Sequence, residues 1–127
     1  MKIIIVIENK LQGEFLKMIF DSDKFDVKVF YDGKEAYKYL INNKSEVIDA
    51  IILMSYQLPN MDGLTIMRKT VEVGLDYAYI FLTADKTVER AIEAMKAGAY
   101  DFLPKSNKMQ EELLPLVDRT YVRKLRR

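Results

Sequence analysis

No cysteine and no histidine occur among the 127 residues. The first absence removes disulfides and thiol chemistry, and nothing else points to an oxidising compartment. The second removes imidazole acid–base catalysis and most zinc sites. Long apolar runs are missing too. The longest near the N-terminus, residues 3–7, is too short for a membrane span or a signal-peptide core, so a cytoplasmic protein is expected. A basic excess is also lacking: 20 basic and 19 acidic side chains leave a net charge of +1. A general nucleic-acid binder would not show that balance. One segment is lopsided. Arg119, Arg123, Lys124, Arg126 and Arg127 stand in the tail without an acid among them, so the remainder holds 15 basic and 19 acidic residues. The tail reads first as a solvated helix end whose cations complement the C-terminal dipole. A phosphate- or partner-binding tail is the second reading.

What is present is an alternation of short apolar runs and longer helical patterns. Residues 3–7 form a β-branched run suited to a strand buried on both faces. Leu11, Phe15, Leu16 and Ile19 follow at helical spacing. Residues 27–31 read as a second strand, closed by the turn Asp32-Gly33. A helix with Ala36, Tyr37, Leu40 and Ile41 on one face comes next. Residues 48–54 predict the third strand. Leu64, Met67 and Val71 mark a helix that opens near Asp62-Gly63 and stops by Gly74. Residues 77–82 predict the fourth strand, 88–97 a helix closed by Gly98, and 100–103 a short fifth strand. The last helix, carrying Leu113, Leu114, Val117, Tyr121 and Leu125, is expected to start near Asn107.

Five β-α repeats imply right-handed crossovers and a doubly wound parallel sheet in one domain, residues 1–127. The five-stranded (βα)5 solution is flavodoxin-like, with strand order 2-1-3-4-5 and ligands beyond the carboxyl ends of the strands. The residues at those ends are Ile7 and Glu8, Ser55, Thr83, and Lys105.

The stretches KIIIVIENK, YDGKEAYKYL, ILMSYQLPNMDGL, FLTAD and AIEAMKAGAYDFLPK resemble the response-regulator receiver family of two-component signalling, CheY-like domains. The resemblance implies phosphorylation of an aspartate at the end of strand 3. It also implies Mg²⁺ on an acidic pair after strand 1, a Thr/Ser after strand 4 and a Lys after strand 5. Thr83 and Lys105 match. Phe102 falls on the aromatic switch position, and Glu8 on the second acidic position. Ile7 stands at the first acidic position and Ser55 at the acceptor. Ser106 replaces the proline usual after the lysine.

A serine hydroxyl is a poor nucleophile without a base, and no histidine exists to activate it. Magnesium favours an oxygen octahedron anchored by one or two carboxylates, and Glu8 is the only candidate ligand left. The resemblance therefore implies a degenerate receiver with no catalytic residue and weak or absent Mg²⁺ binding. It would act through phosphorylation-independent protein contacts. Its partners would be an output domain or separate protein, and possible ones include a histidine kinase or a second copy. They would meet the face made by the fourth helix, strand 5 and fifth helix. Neither membrane nor nucleic acid is expected as a partner. Two alternatives remain open: a working receiver using Ser55 or Glu8 as acceptor, and a flavodoxin-like cofactor binder. The second lacks support, because IENKLQG is not a Gly/Ser/Thr-rich phosphate loop.

Bland readings sit beside these. Ser55 is read as a strand-end hydroxyl satisfied by a neighbouring backbone group. Phe102 and the methionines Met54, Met61 and Met67 are read as packing, and Asp32 and Asp62 as turn and helix-start residues. Three structural expectations follow. Lys105 should pair with Glu8, with Ser55 or Thr83 completing the hydrogen bonds. The Lys105–Ser106 peptide should be trans. Pro115 should kink the last helix or delay its regular part.

Overall fold

A computed structural model describes residues 1–21, 25–84, 88–106 and 108–126 (Val88 by its backbone alone). Asp85 of the FLTAD stretch, Asn107 as a helix start and Arg127 of the basic tail lie outside the described residues. Five strands, β1 (Lys2–Val6), β2 (Asp26–Phe30), β3 (Ile51–Ser55), β4 (Ala78–Thr83) and β5 (Asp101–Pro104), make one sheet. Its order is β2-β1-β3-β4-β5 and every pairing is parallel. The helices are α1 (Lys10–Asp21), α2 (Gly33–Asn42), α3 (Lys44–Val47), α4 (Gly63–Glu72), α5 (Val88–Ala97) and α6 (Met109–Leu125). The flavodoxin-like order expected from the β-α alternation is the order found.

Strand alternation divides the core in two. Ile3, Ile5, Ile7, Ile51, Leu53, Ile80 and Leu82 face α1 and α6, packing on Leu16, Phe20, Leu113 and Val117. Ile4, Val6, Ile52, Met54, Tyr79 and Phe81 face the other helices, meeting Ala36, Leu40, Ile66, Met67 and Ala94. β1 from Ile3 on, β3 and β4 are buried on both faces, which is why they are apolar up to the residues that end β3 and β4, Ser55 and Thr83. Among the described residues no helix is long and apolar enough to cross a membrane.

Four expectations are corrected. Strand 3 begins at Ile51, not residue 48, because Ile48 closes the unforeseen helix α3 (its N–H reaches Lys44 O at 3.0 Å) and the Ala50 N–H turns back to Val47 O. That extra helix makes the helix after β4 the fifth and the last one the sixth. On α1 the inward stripe is Gly13, Leu16 and Phe20, while Leu11 is 81% exposed and Phe15 is 43% exposed. Gly13 rests on the Tyr31 ring, where a Cβ would lie 2.5 Å from Cε1, so this face of the helix comes close to β2. Finally, α6 starts at Met109, six residues before Pro115, so its regular part is not delayed until after the proline. Pro115 removes the bond to the Glu111 carbonyl, yet Met109 and Leu113 before it and Leu116 and Val117 after it are all buried in one core. Packing on both sides outweighs the lost bond.

Candidate functional site

The parallel register gathers the residues singled out from sequence at one rim of the sheet. Val6 pairs with Met54, Ser55 with Leu82, and Thr83 with Pro104. Glu8 therefore stands just past β1, Ser55 ends β3, Thr83 ends β4 and Lys105 follows β5. A cavity of about 320 Å³ opens there, lined by Glu8, Tyr56, Gln57, Leu82, Thr83, Ala84, Arg90 and Lys105.

Lys105 Nζ donates to Glu8 Oε1 at 2.7 Å. The lysine side chain is only 12% exposed and the glutamate 35%, so the pair carries more weight than a solvated one. The expected ion pair is thus present. Thr83 is linked to Lys105 through the backbone, its carbonyl accepting the Lys105 N–H at 2.8 Å, a continuation of the β4–β5 ladder rather than a bond to the charged groups. Ser55 contributes nothing: its side chain is buried and its Oγ has no hydrogen-bond partner among the described residues. That corrects the reading of a backbone-satisfied hydroxyl. By strand alternation Ser55 shares the face of Ile51 and Leu53, whose side chains can neither donate nor accept.

Ile7 is fully buried beside Ile5 and Leu53, and its N–H continues the β1–β2 ladder to Phe30 O at 3.0 Å. Phe102 pairs in register with Phe81 and packs in the same layer as Met54. The Lys105–Ser106 peptide is trans. In place of a proline ring, Ser106 supplies an Oγ that accepts the Lys108 N–H at 3.2 Å and a carbonyl for Met109 N–H, turning the chain into α6.

Two contributors escaped the sequence reading. Arg90 on α5 lays its guanidinium 4.1 Å from the Tyr56 ring centre and donates to the Tyr56 hydroxyl at 2.5 Å. Only the helix phase of a residue 34 positions away brings them together, and no local motif announces it. Tyr56 itself is held where the chain leaves β3, since its carbonyl accepts the Gly63 N–H at 2.8 Å. Gly63 can sit there because it lacks a Cβ, which would fall 2.2 Å from Ser55 O. Asp62 caps α4 through Thr65 N–H at 2.8 Å, and Asp32 caps α2 through Glu35 N–H at 3.0 Å, as their turn readings required. The Glu35 N–H, with the Asn60 amide, holds the Asp32 carboxyl below its ordinary pKa.

As carboxylate donors for a magnesium ion, the described residues of the rim offer one, Glu8, already bound to an ammonium, with an isoleucine beside it. That set does not fit the octahedral oxygen cage the ion favours.

The family profile described as "Response regulator receiver domain" matches residues 3–117. The response regulator MprA of Mycobacterium sp. (strain KMS) is 30% identical over 112 residues, 88% of this chain and 47% of that protein. MprA of Mycobacterium avium (strain 104) is 29% identical over 113 residues, covering 89% of the chain and 48% of the relative. The chain thus spans about half the length of these curated relatives. Among solved structures, the Francisella response regulator 1452 receiver domain superposes with a TM-score of 0.83 at 29% identity, covering 96% of this chain and 97% of that one. A response regulator receiver domain protein from Clostridium thermocellum reaches 0.85 at 22% identity over 97% and 95% of the two chains, a likeness of fold.

Proposed function

This chain belongs to the response regulator receiver domain family, and from that premise we propose that it is a degenerate member, signalling by protein contacts that need no aspartyl phosphate. The carrying observation is the 2.7 Å ion pair between Lys105 and Glu8. In the family's reaction a carboxylate on strand 3 attacks phosphorus while a metal neutralises the transferring oxygens. Here the strand-3 residue is Ser55, buried and, among the described residues, without a base holding its proton. The lysine that would answer an acceptor carboxylate answers Glu8 instead. Mg²⁺ binding is expected to be weak or absent, since its one remaining carboxylate is engaged.

The same observations count against the two alternative acceptors. Ser55 has no activating partner among the described residues, and Glu8 would have to abandon Lys105. The output surface is read as the α5–β5–α6 face, where Ile92, Met95 and Val122 are 46%, 41% and 46% exposed. An output domain or separate regulator, a kinase and a second copy are the partner classes, and a cytoplasmic setting goes with them. Incubation with acetyl phosphate and Mg²⁺, followed by intact mass, tests the reading. An unchanged mass is expected. Gain of one phosphoryl group would overturn it.

A further inference from the structure

We infer that α1 carries a self-pairing surface, on which a second copy of this chain docks helix against helix, antiparallel, about a two-fold axis. The inward stripe of α1 is Gly13, Leu16 and Phe20. On its outer side Leu11, Phe15 and Met18 are 81%, 43% and 64% exposed and line one shallow groove with Glu14, Lys17 and Asp21. At 3.6 residues per turn the three apolar residues share an arc of about 60°. A contiguous apolar stripe with a polar border marks a protein contact.

The charges along that border identify the partner. Lys10, Glu14, Lys17 and Asp21 are all exposed, and helical phase puts them in a second arc of about 60°, a quarter turn from the apolar one. Their signs run plus, minus, plus, minus along the helix, so the stripe read backwards is its own complement. In an antiparallel two-fold pair each flank of the seam meets the same flank of the other copy, reversed. With the axis midway between Phe15 and Leu16, Lys10 faces Asp21 of the second copy and Glu14 faces its Lys17. The seam closes at the same setting, with Phe15 beside Phe15 of the second copy and Leu11 beside its Met18. A parallel pair would set this flank against Gln12 and Ile19 and leave the four charges unanswered. Among the described residues none of the four is in an ion pair, and Glu14 receives only the Tyr31 hydroxyl at 3.4 Å.

Size sets the strength. Two 12-residue helices, each about 18 Å long, bury less than a standard interface, so the dimer belongs to the weak, reversible class with Kd of about 50 µM. This face is separate from the α5–β5–α6 surface, and the inference holds whether or not the chain takes a phosphoryl group.

The test is sedimentation equilibrium of the whole chain from about 5 to 500 µM, a range that brackets the expected Kd. A reversible monomer–dimer equilibrium is expected, weakening about threefold when salt is raised from about 0.1 to 0.5 M, because the flanking pairs are solvent-exposed. Leu11→Glu puts a charge in the seam and should weaken association at least tenfold. Glu14→Lys and Lys17→Glu each set like charges opposite one another twice in the dimer, and each alone should weaken it about tenfold. An equimolar mixture of those two variants should restore dimers, since every facing pair is then opposite in sign. The double variant Glu14→Lys with Lys17→Glu should restore them too. All the substituted side chains are exposed, so circular dichroism should show an unchanged fold. Met95→Glu, on α5, should leave the equilibrium as it is. A chain that stays monomeric at about 500 µM would overturn the inference and leave the stripe to a different protein. Single charge variants that dimerise like the wild type, a mixture that fails to recover association, or loss of the dimer through Met95→Glu alone would overturn it as well.

Discussion

Two lysines at opposite ends of the sheet solve the same problem differently. Lys105, at the carboxyl rim, is 12% exposed and meets Glu8 at 2.7 Å. Lys124, near the end of α6, has a buried Nζ with no hydrogen-bond partner among the described residues. It lines a cavity of about 410 Å³ with Asp49 and Asp76, whose charges reach it only through space. Burial therefore pulls the Lys124 pKa down, and the two aspartates only partly oppose that. A desolvated ammonium is costly unless paired at contact distance, and carboxylates further off return little of the cost. The rim that the fold uses for ligands carries the tight pair. The opposite rim tolerates an unpaired amine.

The largest effect expected from this contrast is at the paired lysine. Glu8→Gln leaves a nearly buried ammonium without its counter-charge and should lower stability by about 2 kcal/mol, between an exposed pair and a fully buried one. Urea denaturation at neutral pH measures it, and a loss under about 0.5 kcal/mol would place the pair with ordinary surface contacts. Lys124 should respond with the opposite sign. Lys124→Met removes a buried unsatisfied donor while keeping the aliphatic stem, so a gain of about 1 kcal/mol is expected. The pH dependence carries its own sign. Because the folded pKa of Lys124 lies below the unfolded value, the unfolded chain holds more protons between the two pKa values. Stability relative to the methionine variant should therefore rise as pH increases through that alkaline window, and a flat difference between wild type and variant would remove the effect. Smallest is Ser55→Ala. Its hydroxyl has no partner, so the change should lie within about 0.5 kcal/mol of neutral or be slightly stabilising, as thermal melts can show.

Much of this was legible in the chain, for reasons that differ from place to place. The unbroken apolar run of β1 could only be a strand covered on both sides, and turns such as Asp32-Gly33 and Asp62-Gly63 fixed where helices begin. The Glu8–Lys105 pair could be read because strand order makes the ends of β1 and β5 converge on one rim, where a single acid was in view. Helix rotation could not be read. Leu11 and Phe15 have the spacing of a buried stripe, yet the stripe that packs inward is Gly13, Leu16 and Phe20, and they face solvent. Arg90 and Tyr56 were missed for the same reason, since which side of α5 faces β3 is decided by packing rather than by a local signal. Pro115 misled over where the helix starts: four buried side chains around it hold helical turns on both sides of the missing bond.

The most direct measurement is a double-mutant cycle on Glu8 and Lys105, combining Glu8→Gln with Lys105→Met in urea unfolding. If the two groups hold each other in place of a metal and a phosphoryl group, the double variant should recover part of the loss seen in Glu8→Gln. The coupling should exceed the roughly 1 kcal/mol ceiling of exposed pairs. Strictly additive single changes, with no coupling, would contradict the account.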